Sequence, residues 1–99
     1  MPSPRAALSP DNLGLIAAVA RLGSMAAAAR EMDMSYRRAW LLVDEMNQMF
    51  DGPLVAAAPG GVRGGGAVVT PLGEAVAAAY RRIVERTQAA IGEELSRRA

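Results

Sequence analysis

Ser35, Tyr36, Arg37 and Arg38 put a hydroxyl, a phenol and two guanidinium groups into four consecutive positions. Serine in that setting reads as a helix cap, its oxygen taking up an amide of the first turn. The two arginines then lie in the first turn itself. A guanidinium fork matches the O6 and N7 acceptors of guanine or two oxygens of a phosphate, a phenol can stack or donate to phosphate, and helix N-terminal amides favour anions. This is the chemistry of recognition, not of bond making. Two adjacent arginines on an arbitrary helix are usually solvated surface charge, and only their place just after a cap raises them above that reading.

The elements around them are legible. Ser9, Pro10 and Asp11 supply a cap, a first-turn proline and a first-turn acid, so a helix begins there and runs to about residue 22. Leu13, Ile16, Ala17 and Ala20 recur at helical spacing as its expected buried face. Gly23 suits a left-handed stop. Ser24 can cap a short second helix from 25 to about 32, rich in alanine, and its amides also face outward as an anion site. Asp33 and Met34 make a tight connection to the third helix, which runs from the Ser35 cap to roughly 49. Ala39, Leu42, Val43, Met46 and Phe50 are expected to face inward with Trp40 at the flank, leaving Tyr36, Arg37, Arg38, Leu41, Asp44, Glu45 and Gln48 at the surface.

Asp51, Gly52 and Pro53 break that helix. Two short β-prone runs follow, Leu54 with Val55 and Ala67 with Val68 and Val69, enclosing a loop in which Gly60, Gly61, Gly64, Gly65 and Gly66 surround Arg63. A hairpin with a glycine-rich tip fits this pattern, its backbone free to approach a ligand closely. Thr70 and Pro71 repeat the cap-then-proline start, and a last helix reaches about residue 95 with Leu72, Val76, Ala79, Ile83, Ala90 and Ile91 in a stripe. Such a helix is longer than a 99-residue domain can cover, so Ile83, Ala90 and Ile91 are expected to meet a second copy, with Arg82, Glu85, Arg86 and Glu93 beside the seam. The predicted fold is mainly α with a small β-hairpin, a winged helix-turn-helix with a long C-terminal dimerisation helix. Residues 1–8 are expected to form a flexible tail and 9–99 the domain, the dimerisation helix occupying about 70–95.

Composition narrows the function. The chain has no cysteine and no histidine, which removes thiolate chemistry, the usual zinc sites and the commonest general base. Paired carboxylates and nucleophile–base sets are not discernible, so an enzyme is not expected, nor a cofactor, a bound metal or a small-molecule ligand. Met25, Met32, Met34, Met46 and Met49 are read as core packing before soft-metal ligation. The glycine block lacks the lysine and hydroxyl residue of a phosphate-binding loop. No window is apolar for the ~20 residues a membrane span needs, and the N-terminus lacks a signal-peptide core, so a cytoplasmic protein without membrane attachment is expected. The net charge of +1 is small and all eleven cations are arginine; a nucleic-acid partner has to be argued from where the charges sit.

Gly23-Ser24, Ser35-Tyr36, Ala39-Trp40, Glu45-Met46-Asn47, Gly60-Gly61, Gly64-Gly65-Gly66-Ala67 and Thr70-Pro71-Leu72-Gly73 together resemble the N-terminal domain of the ModE-type molybdate-responsive regulators, over roughly residues 12 to 88. Related LysR-type domains usually lack the glycine block. The resemblance implies a dimeric transcription regulator that binds double-stranded DNA through its third helix and its wing, with Ser24, Ser35, Tyr36, Arg37, Arg38, Arg63 and Gly64 as the residues at the DNA. Alanines at 56 to 58 stand where the family commonly carries polar residues after the first wing strand. The sequence ends where the family's molybdate-binding domains would begin, so sensing is expected to be absent, supplied by another protein or lost with a missing segment. The alternative is a helical interaction module that keeps the scaffold without binding DNA and dimerises with another regulator, favoured by the near-zero charge and by Asp44 and Glu45 on the third helix.

Overall fold

The structure, a computed structural model, describes residues 9–58 and 66–98. Its elements are α1 (Pro10–Leu22), α2 (Met25–Glu31), α3 (Tyr36–Asn47), β1 (Val55–Ala57), β2 (Ala67–Val69) and α4 (Pro71–Ser96). Each helix starts on a hydroxyl cap. The oxygens of Ser9, Ser24, Ser35 and Thr70 accept the amides of Asn12, Ala27, Arg38 and Gly73 at 3.3, 3.1, 3.1 and 3.0 Å, satisfying one otherwise orphaned donor per helix. Gly23 ends α1 in the left-handed region, φ 66°, and returns its amide to the Val19 carbonyl. Asp33 takes φ 57° in the connection between α2 and α3, a conformation short polar side chains tolerate as single residues.

The hairpin is antiparallel, with Val55 opposite Val69, Ala56 opposite Val68 and Ala57 opposite Ala67. One more bond, from the Ala58 amide to the Gly66 carbonyl, continues it toward the tip. Gly66 also bridges to Ser24, which ties the second strand to the start of α2.

Leu15, Ile16 and Val19 of α1, Met25, Ala28 and Ala29 of α2, Ala39, Val43 and Met46 of α3, and Leu54, Val55, Ala67 and Ala77 make one core. On α1 the buried stripe is Asn12, Leu15, Ile16 and Val19, with Gly14 and Ala18. The face expected from sequence, Leu13, Ile16, Ala17 and Ala20, is therefore turned: Ile16 lies inside while Leu13, Ala17 and Ala20 are only half-buried. The two stripes share a spacing, and the larger side chains Leu15 and Val19 decide which one is buried. On α3 Ala39, Val43 and Met46 are buried as expected, with Leu42, Phe50 and Trp40 packed at the edge of the core. Met25 and Met46 are fully buried, and Met32 and Met34 pack against the core.

The segment that links α3 to β1 is held from both sides. Asn47, the last residue of α3, accepts the Leu54 amide on Oδ1 at 2.7 Å and donates from Nδ2 to the Val55 carbonyl at 3.3 Å. Thr70 donates its hydroxyl to the Pro53 carbonyl at 2.7 Å and its amide to the Leu54 carbonyl at 3.0 Å. Gly73 lets α4 come this close. A β-carbon there would stand 2.1 Å from the Leu54 carbonyl oxygen and 2.6 Å from Val69 Cγ1.

On α4 the buried residues are Gly73 and Ala77, not Leu72, which is exposed. The helix packs chiefly on α1, where Tyr80 lies over Gly14. From residue 81 onward it is exposed on every side, and its projection explains a longest dimension of 53 Å. No described helix is long and apolar enough to cross a membrane.

Two substitutions test the clamp. Gly73→Ala is expected to destabilise by about 1–3 kcal/mol or more, because backbone stands in the way of the added carbon. Asn47→Ala, which strands the Leu54 amide, is expected to cost about 1–3 kcal/mol. Urea unfolding monitored by circular dichroism measures both, and midpoints equal to that of the parent chain contradict the assignment.

Candidate nucleic-acid interface

α2, the turn through Asp33 and α3 form a helix-turn-helix. α3 rests on the core through one side only, so its opposite surface is open along its length. The first turn of that open surface carries Tyr36, Arg37 and Arg38, all exposed. Ser35 presents its oxygen inward to the Arg38 amide and so fixes where the helix begins. The Tyr36 ring meets Trp40 edge to face, centroids 6.4 Å apart and planes at 73°. Trp40 is itself packed on the core, so Tyr36 is oriented by a fixed neighbour while the residue stays 46% exposed.

Neither Arg37 nor Arg38 is in an ion pair among the described residues. Arg21, by contrast, is bound to Glu31 and Arg97 to Glu93. Two guanidinium groups without a carboxylate partner, at the positive end of a 12-residue helix, concentrate positive potential there. Further along the same surface stand Leu41, Asp44, Glu45 and Gln48, exposed as well.

Of the residues singled out in the sequence, Ser35, Tyr36, Arg37 and Arg38 come together in this one turn. Ser24 lies at the other end of the seven-residue α2, where it caps the helix and bridges to Gly66. It is thus the point at which the wing meets the helix-turn-helix. Arg63 and Gly64 fall outside the described residues. Ile83, Ala90 and Ile91 lie on the exposed part of α4, far along it from Gly73 and Ala77. Together with Leu95 they form an open apolar strip along this one helix, bordered by Arg86 and Glu94.

Sequence reasoning missed Asn47 as a structural participant. The residue belongs to the Glu45-Met46-Asn47 run, but its role is a contact with residues seven and eight places on, which helical spacing does not encode.

Residues 10–74 match the bacterial regulatory helix-turn-helix protein, lysR family. The chain is 50% identical to the molybdenum-pterin-binding protein MopB of Rhodobacter capsulatus over 79% of its own length and 29% of that protein's. It is 38% identical to the molybdenum transport protein ModE of Azotobacter vinelandii, over 86% of this chain and 32% of that one. With the DNA-binding transcriptional dual regulator ModE of Escherichia coli the identity is 36%, over 82% and 31%. The chain thus spans less than a third of the length of these relatives. Among solved structures, the CbnR DBD–DNA complex superposes with a TM-score of 0.79 at 22% identity, covering 93% of this chain and 100% of that one, a likeness of fold.

If Arg37 and Arg38 are held for a partner and not for the fold, Arg37→Ala and Arg38→Ala should each change stability by no more than ~0.5 kcal/mol. Ser35→Ala should cost ~1 kcal/mol through the lost cap. Thermal and urea unfolding of the three variants check this. A large loss on removing either arginine would assign it to the fold.

Proposed function

The chain belongs to the lysR family of bacterial regulatory helix-turn-helix proteins, and from that premise we propose that it is a sequence-specific, double-stranded DNA-binding transcription regulator, acting in the cytoplasm as a homodimer. The observation that carries the reading is the first turn of α3, where Tyr36, Arg37 and Arg38 stand exposed and free of carboxylate partners among the described residues. An α-helix fits the major groove, and its N-terminal residues meet base edges there. In this arrangement Arg37 and Arg38 take guanine or phosphate, and Tyr36, steadied by Trp40, takes the flanking backbone. The relatives' names tie those proteins to molybdenum, so genes serving molybdenum handling are the first place to seek its operators.

The exposed length of α4 supports pairing. Twenty-six residues extend about 39 Å, and the helix is exposed from residue 81 onward. Ile83 and Ile91, 48% and 50% exposed, lie with Ala90 on one side of it. A second copy crossing at the small Ala90 buries both isoleucines and, if antiparallel, sets Arg86 of one copy opposite Glu94 of the other. Such exposed charge pairs contribute only ~0.2–1 kcal/mol and would set register more than affinity. The competing interaction-module reading draws on Asp44 and Glu45, whose carboxylates face the same way as the arginines.

A mobility-shift titration with duplexes selected from genomic fragments separates the two. DNA binding that weakens linearly in log–log plots against salt supports the regulator, and loss of a base contact in Arg37→Ala or Arg38→Ala should cost about 1–3 kcal/mol in a sequence-dependent way. Unchanged affinity in both variants excludes this docking.

For the dimer, sedimentation at micromolar concentration should give two copies for the parent chain and one for Ile83→Glu/Ile91→Glu. A parent monomer, or a dimer that survives both changes, removes the α4 seam. Half-sites about one helical turn apart, or a multiple of it, are expected in the selected DNA.

A further inference from the structure

Leu41 is 53% exposed, a large apolar side chain in the middle of the open surface of α3. Isolated surface leucines are ordinary, so its position must carry the argument. At about 100° per residue, Leu41 lies ~40° around the helix from Arg37 and ~60° from Arg38, between the two. The buried residues Ala39, Val43 and Met46 occupy the opposite side. Leu41 therefore points straight away from the core. Its neighbours one turn before are Arg37 and Arg38, and one turn after are Asp44 and Glu45, all exposed. All four of these neighbours are charged residues, so no hydrophobic residue flanks the leucine at these positions.

Resting on the DNA-binding reading above, we propose that Leu41 is a specificity residue that packs against the C5 methyl group of a thymine in the major groove. The methyl is the one apolar feature that base pairs present in that groove. Leu41 sits one turn further along the helix than the arginines, so the thymine it meets lies within the same half-site, beside the base pair or phosphate that the arginines engage. The contact reads A·T against G·C without a hydrogen bond. In a binding surface of small net charge it adds discrimination that is indifferent to salt.

Uracil tests this, since it keeps every hydrogen-bonding edge of thymine and lacks only the methyl. Duplexes selected by the parent protein are resynthesised with deoxyuridine replacing each thymine in turn and titrated against the parent and Leu41→Ala. The expected result is one position per half-site where uracil weakens the parent about fourfold, the effect of withholding one buried methyl-sized group. Leu41→Ala should bind the thymine duplex about as weakly as the parent binds that uracil duplex, or more so, and should not distinguish the two. Its unfolding midpoint should equal the parent's. Uracil effects that are absent at every position, or of equal size in both proteins, overturn the proposal while leaving DNA binding in place. Failure of the parent to select any duplex overturns it together with the reading beneath it.

Discussion

The backbone of residues 53–55 is the point on which the rest of the molecule depends. Leu54 is fully buried, so its amide and carbonyl cannot turn to water and must find partners within the chain. The amide goes to Asn47 at the end of α3, and the carbonyl goes to Thr70 at the start of α4. One residue thereby registers α3, the hairpin and α4 against each other. Gly73 makes the arrangement possible by leaving room for the Leu54 carbonyl, which a side chain would displace.

That dependence explains which parts of the structure were legible in the sequence. Caps and stops are local. Ser9, Ser24, Ser35, Thr70 and Gly23 each announce a boundary through residues no more than four places away, and each stands where expected. The buried face of α1 was misplaced because alanine-rich helices carry several apolar stripes of the same period, and side-chain volume, not periodicity, selects Leu15 and Val19. Leu72 was misplaced similarly, since the close approach of α4 to the Leu54 backbone and Val69 is made by Gly73, and the next buried position is the small Ala77. The exposed place of Arg37 and Arg38 in the first turn of α3 was legible from position alone. Asn47 was not, because its partners are fixed by the tertiary turn that follows it.

A net charge of +1 is compatible with DNA binding only if the charge is unevenly placed. Ion pairs at Arg21 and Arg97 remove two cations from play, whereas Arg37 and Arg38 stay available. Asp44 and Glu45, a turn or two further on, oppose phosphate across the same surface. In the proposed DNA complex, affinity leans less on indiscriminate counterion release and more on fit to particular base pairs. Under that proposal, a weak general attraction to DNA is paired with a larger ratio of specific to non-specific binding.

α4 is continuous from the clamp at Gly73 to the apolar strip near Leu95, with no proline or break between. In the proposed dimer it acts as a shaft joining each reading head to the axle of the pair. Lengthening a shaft by one residue moves its end only about 1.5 Å but rotates it about 100°. The angular phase of the two heads is thus far more sensitive to insertions than the distance between them. Drift in the length of this helix between 81 and 90 is tolerable in steps near seven residues, two turns, which return each head to almost its original bearing on the double helix.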